Sequence, residues 1–157
     1  MVNQRIEKLN KLLSQIEINI PKRDIKNEAV SKSTIGWQLD HSLKVLNAVS
    51  EWTENSNPED YKFKLNFWRI VLLTLGYFPR GKVKAPKHVL PPEEITTEDL
   101  EKQLQTARTH IEKLKLLAKN SYFKHFIFGK LNKKQTLRFL EVHTNHHLKI
   151  VNDILKK

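Results

Sequence analysis

Cysteine is absent from this 157-residue chain. Disulfides, Cys-ligated zinc and a thiol nucleophile from the chain itself are therefore excluded. Glycine occurs only 4 times, which argues against a turn-rich β fold and for long helices. Long apolar runs are missing as well. The longest uncharged stretch, Ile70 to Pro79, is ten residues, about half of the roughly 20 needed to span a bilayer. The first residues, Met1-Val-Asn-Gln-Arg-Ile-Glu-Lys8, lack the apolar core of a secretion signal. A cytoplasmic protein with no membrane partner is the expectation. Acidic residues are scarce in one region only: residues 102–157 hold 13 basic and 3 acidic side chains, against 15 and 14 in residues 1–101. Solvated basic helix faces account for such a region. Nucleic-acid binding ranks last, because no platform of interleaved aromatic and basic residues accompanies the charge.

What is present is an ordinary globular balance, 39% hydrophobic and 29% charged, sufficient for one domain over residues 1–157. Ile6, Leu9, Leu12, Leu13 and Ile16 recur at helical spacing and predict an N-terminal helix within residues 1–20. A second helix is expected from Thr34 to Asn55, with Trp37, His41, Val45, Val49 and Trp52 on one stripe. A third, the most apolar, is expected over 59–76 and closed by Gly76. Five prolines and glycines make 77–95 a long loop, basic at Arg80, Lys82, Lys84 and Lys87. A loop of that length in a compact domain is more often functional or covering than a plain connector. Thr96 or Thr97 caps a fourth helix reaching to about Asn120. Residues 121–131 read as irregular and aromatic, with no strand, and Asn132 with Gln135 forms a capping-box start for a fifth helix over 133–155. The fold class is all-α: a four-helix bundle with an additional N-terminal helix and a long crossover loop.

The last helix places His143 and His147 on its apolar stripe, between Leu140 and Ile150. Four-residue spacing points both rings the same way. The second helix carries His41 within its own apolar stripe. Buried polar rings without partners cost about 1–3 kcal/mol each, so inward imidazoles call for a reason. One reason is a shared divalent ion (zinc, nickel or iron) held by His41, His143 and His147, with open positions for water or substrate and an acidified bound water. The other is a set of core histidines satisfied by a carbonyl or hydroxyl. The His-Glu-x-x-His pattern of metalloproteases is not present. His146 lies partly off the stripe and reads as a boundary residue or as a substitute for His147. Gln38 reads as a helix edge or a ligand contact. His125 reads as exposed or as a donor to a ligand. Trp37 and Trp52 read as core, Phe123, Phe126 and Phe128 as a plug at the bundle end, and His88 and His110 show no partner at meaningful spacing.

Ser33-Thr-Ile-Gly-Trp-Gln-Leu-Asp-His41 and His143-x-x-x-His147 resemble the DinB-like superfamily, also called the YfiT-like metal-dependent hydrolases. His125-Phe-Ile-Phe-Gly129, Leu131 and His143-Thr-Asn-His-His147 are similar to an uncharacterised branch with His-Pro-x-Phe-Gly followed by His-x-x-His-His. Phe126 stands where that branch usually has Pro, and Ile150 where a Gln often follows the His pair. The resemblance implies a four-helix bundle with a long crossover and a divalent metal near one end, held by His41, His143 and His147. It implies a small-molecule substrate, for some members a thiol-dependent transfer or isomerisation with an external low-molecular-weight thiol, and frequent homodimers. The alternative function is a non-enzymatic helical binding module whose His site is structural or vacant.

Overall fold

The computed structural model describes residues 2–81 and 86–156. Lys82 and Lys84 of the basic loop lie outside the described residues. Five helices and one small hairpin make up the rest: α1 (Val2–Asn19), α2 (Ile35–Glu54), α3 (Phe67–Leu75), α4 (Thr97–Leu116), β1 (Tyr122–His125), β2 (Gly129–Asn132) and α5 (Lys133–Leu155). The mostly helical class agrees with the sequence pattern.

Side-chain caps set most helix starts. The Thr34 hydroxyl accepts from Trp37 N–H at 3.2 Å, Asn66 Oδ1 from Arg69 N–H at 2.8 Å, and Thr96 Oγ1 from Asp99 N–H at 3.1 Å. Each satisfies an amide that the first helical turn leaves unpaired. Asn132 and Gln135 form the expected reciprocal capping box on α5.

The bundle is built from α1, α2, α4 and α5. α2 packs against α4 and α5, and α1 packs against the same two, so α1 and α2 lie on one diagonal. The helix standing outside is therefore α3, and the N-terminal helix is a full member. Length and burial give the reason: α1 buries Ile6, Leu9, Leu12, Leu13 and Ile16 over five turns, whereas α3 is 9 residues long and buries only Arg69 and Leu73.

α3 also starts later than position 59. Pro58–Asp60 form a separate 3-10 turn. The Arg69 guanidinium, 2% exposed, donates to the carbonyl of Lys64, to Phe128 O at 3.2 Å and to Lys130 O at 2.9 Å. One buried side chain thus ties residue 64 and the hairpin to α3, while Phe67, Trp68, Ile70 and Leu75 face outward. Hydropathy alone points the wrong way here, because the polar residue is the inward anchor.

The segment 121–131 is not irregular. β1 and β2 pair antiparallel, with Phe123 opposite Leu131 and His125 opposite Gly129. Gly129, at φ 68, takes the left-handed conformation that closes a three-residue hairpin loop. α4 ends at Leu116 rather than near Asn120.

Candidate functional site

His41 and Gln38 sit one turn apart on α2, and His143 and His147 one turn apart on α5. Because α2 and α5 are bundle neighbours, the two inward stripes meet. One ring nitrogen from each of His41, His143 and His147 lies within 4.8 Å of the others. The ring centroids are 5.3 Å (His41–His143), 4.8 Å (His41–His147) and 4.7 Å (His143–His147) apart. Tetrahedral bonds near 2.1 Å place ligand nitrogens about 3.4 Å apart, so the set is wider than that geometry by at most about 1.4 Å.

Hydrogen bonds fix two of the tautomers. His41 Nδ1–H donates to the Val89 carbonyl at 2.9 Å. His147 Nδ1–H donates to Gln38 Oε1 at 2.7 Å. Both rings then keep the Nε2 lone pair, the arrangement in which a histidine ligates. His143 Nδ1 is buried and has no hydrogen-bond partner among the described residues. Burial holds the His41 imidazole below its ordinary value, against the pull of the Val89 bond and the Asp40 charge. Burial, together with the neighbouring imidazoles, holds His143 and His147 well below theirs. Three neutral imidazoles with one unsatisfied buried nitrogen fit a divalent cation. An apolar core would leave that nitrogen a net cost.

Gln38 is no solvated edge: it is 4% exposed and fixes His147. Its Nε2 reaches the Ser31 hydroxyl at 3.4 Å, which orients the amide oxygen toward the imidazole. His146 stays outside the cluster, edge-on to His147 at 5.0 Å and beside the Phe78 backbone and the Arg80 charge. The inward ring of the pair is therefore His147. Burial and Arg80 together lower the His146 value.

The cluster opens into a cavity of about 660 Å³ walled by Trp37, Trp52, Phe78, Phe123, Phe126 and Phe128. Neither tryptophan is core. Trp37 stacks on His41 at 5.2 Å, and Trp52 is 45% exposed with His88 edge-on at 5.3 Å. Phe123 and Phe128 are buried, Phe126 is exposed, and all three line the same space. The loop 77–95 forms part of the wall. Its two ends are tied to different helices: Arg80 to Asp153 of α5 at 2.7 Å, and Val89 and Leu90 to His41 and Lys44 of α2 at 2.9 and 3.2 Å. The Val89 carbonyl was invisible to sequence reasoning, since a backbone oxygen carries no residue-type signal. His110 also has a partner, the Glu54 carboxylate on α2, 56 residues away in sequence.

Fold and site together define a helical-bundle protein with a three-histidine cluster at the base of an aromatic cavity. The family model described as "Protein of unknown function (DUF1569)" matches residues 70–154, more than half of the chain, and the protein belongs to that family. His143 and His147 fall inside the matched segment and His41 outside it. No curated protein and no solved structure gives a significant match.

Proposed function

We propose that this protein is a DinB-like, single-domain divalent-metal protein in which His41, His143 and His147 hold zinc, nickel or iron. The convergence of their nitrogens to within 4.8 Å carries the reading. The orphaned His143 Nδ1 and the two fixed tautomers support it. A divalent ion there supplies Lewis acidity and lowers the pKa of a water or thiol that reaches it. The chain's own residues do the rest. Val89 and Gln38 hold two imidazoles in the ligating tautomer, and the apolar walls exclude bulk water. The reaction best suited to this arrangement is transfer or hydrolysis on a small molecule. Because the chain has no cysteine, any thiol comes from outside.

Protein purified without a histidine tag is expected to contain about one divalent ion per chain by elemental analysis, and a His143→Ala/His147→Ala variant close to none. Equal metal content in the two would sink the proposal. The rival reading, a binding module without turnover, gains if metal is retained but no electrophile-plus-thiol mixture is consumed.

A further inference from the structure

His125 forms part of the cavity wall, yet it does not belong to the three-histidine cluster. It ends β1, at the corner of the hairpin. Its Nδ1 accepts two backbone hydrogen bonds from the hairpin loop, from Ile127 N–H at 3.1 Å and from Phe128 N–H at 3.2 Å. A nitrogen that accepts twice carries no proton, so in the neutral ring the proton sits on Nε2. Burial pushes the imidazole down to about 4, which keeps it neutral across the physiological range. Phe126 and Phe128 stack on the ring at 4.5 and 4.4 Å, so its plane cannot rotate freely. Nε2 has no hydrogen-bond partner among the described residues, nor is it among the buried orphaned atoms; it keeps open surface. Phe139 lies between His125 and the cluster, its centroid 5.1 Å from that of His125 and 5.7 Å from that of His143. The His125 and His143 rings are therefore at most about 11 Å apart, a span that one ring with a short side group covers by lying along Phe139 in the cavity.

We propose that His125 is a fixed hydrogen-bond donor of this cavity, its Nε2–H receiving an acceptor oxygen on a small, aromatic or otherwise apolar ligand whose other end faces the three-histidine cluster. The ligand class follows from the walls: aromatic rings on several sides and one oriented neutral donor select an apolar body with a single acceptor. A polyanion such as a nucleotide would meet only two cations among the described lining residues, Lys124 and an Arg80 already paired with Asp153. The inference rests on the proposed metal pocket as the place of binding but does not need the metal itself.

Two probes of matched shape test it: acetophenone, which has a carbonyl acceptor, and α-methylstyrene, which has none. Their affinities are measured for the wild type and for His125→Asn, each with chelator and with added zinc. Asparagine keeps an oxygen where Nδ1 accepts the two loop amides but lacks a donor at the reach of Nε2. The affinity ratio of acetophenone to α-methylstyrene is expected to fall about fivefold in the variant, the equivalent of one neutral hydrogen bond, and to do so in the chelated protein too. Comparing ratios cancels the different hydration of the two probes. An unchanged ratio in a variant that melts like the wild type overturns the proposal. If the variant does not fold, long-range ¹H–¹⁵N spectra of the wild type decide. A protonated Nε2 and bare Nδ1 at His125 are expected, and a proton on Nδ1 overturns it. Failure of the metal reading shows separately, as absent metal with the ratio shift intact.

Discussion

Gln38 illustrates how much of the three-histidine cluster depends on a residue outside it. It is buried and accepts from His147 at 2.7 Å. A ligating histidine without such a partner can flip or change tautomer, and removal of such contacts typically costs 10–100-fold in metal affinity. Gln38→Leu keeps the volume and removes the acceptor. Competition titration with a chromophoric chelator should therefore show zinc affinity reduced by about that factor, with the helix content unchanged. Gln38→Glu keeps an acceptor in place and should retain more affinity than Gln38→Leu. The inward pair of histidines was legible from spacing alone, since 143 and 147 interrupt an apolar stripe. The role of Gln38 was not, because a glutamine at helical offset from a histidine is equally common on solvated edges, and only the approach of α5 to α2 makes it a partner.

At the scale of elements, α3 and the hairpin behave as one attachment held by Arg69. Its guanidinium serves three carbonyls, those of Lys64, Phe128 and Lys130. Arg69→Met would fill much of the same space but leave those oxygens without a donor. The expected loss is about 2–4 kcal/mol in a denaturant titration. It should be accompanied by faster amide exchange in 67–75 and 122–132, while α1 and α4 keep their protection. Uniformly faster exchange would argue against a local anchor. The hairpin escaped sequence reading because its strands are four residues each, too short for alternation to stand out among aromatics. Gly129 was the available signal for its turn. The early start expected for α3 follows from Pro58, which suits a first helical turn but here opens the separate 3-10 turn Pro58–Asp60. A run of nine helical residues that buries an arginine and exposes two adjacent aromatics does not follow a hydropathy stripe.

For the whole molecule, histidines on α2, β1 and α5 are kept neutral by folding. Burial lowers His41, His125, His143, His146 and His147 relative to the unfolded chain. The unfolded chain, whose histidines titrate near 6.5, then takes up protons that the native protein refuses. Stability is therefore complete above about pH 6.5 and falls as the pH drops below it. The slope approaches 1.4 kcal/mol per pH unit for each buried ring until the native value is reached. Hydrogen bonds from Lys26 to Glu28 and from Lys156 and Arg80 to Asp153 hold these two carboxyls below the ordinary carboxylate range, so their titration falls below the window from pH 6.5 to 5. Thermal melts of chelated protein should show a Tm that declines steadily across that window. The His143→Ala/His147→Ala variant should decline less steeply, and parallel curves would contradict the assigned cause. No helix among the described residues is long and apolar enough to cross a membrane, in keeping with the short uncharged runs.

Sequence by itself determined the helical class, most of the helix starts and the three inward histidines. All of these rest on local rules: capping residues act within one turn, and a polar residue in an apolar stripe is visible at a period of 3.6. Tertiary structure alone decided which helix stands outside the bundle, that the loop 77–95 supplies the Val89 carbonyl to His41, and that Trp37, Trp52 and His125 come together around one cavity. Each of those depends on contacts between residues tens of positions apart. No local pattern records them, because the energy that selects them is gained only when the helices come together.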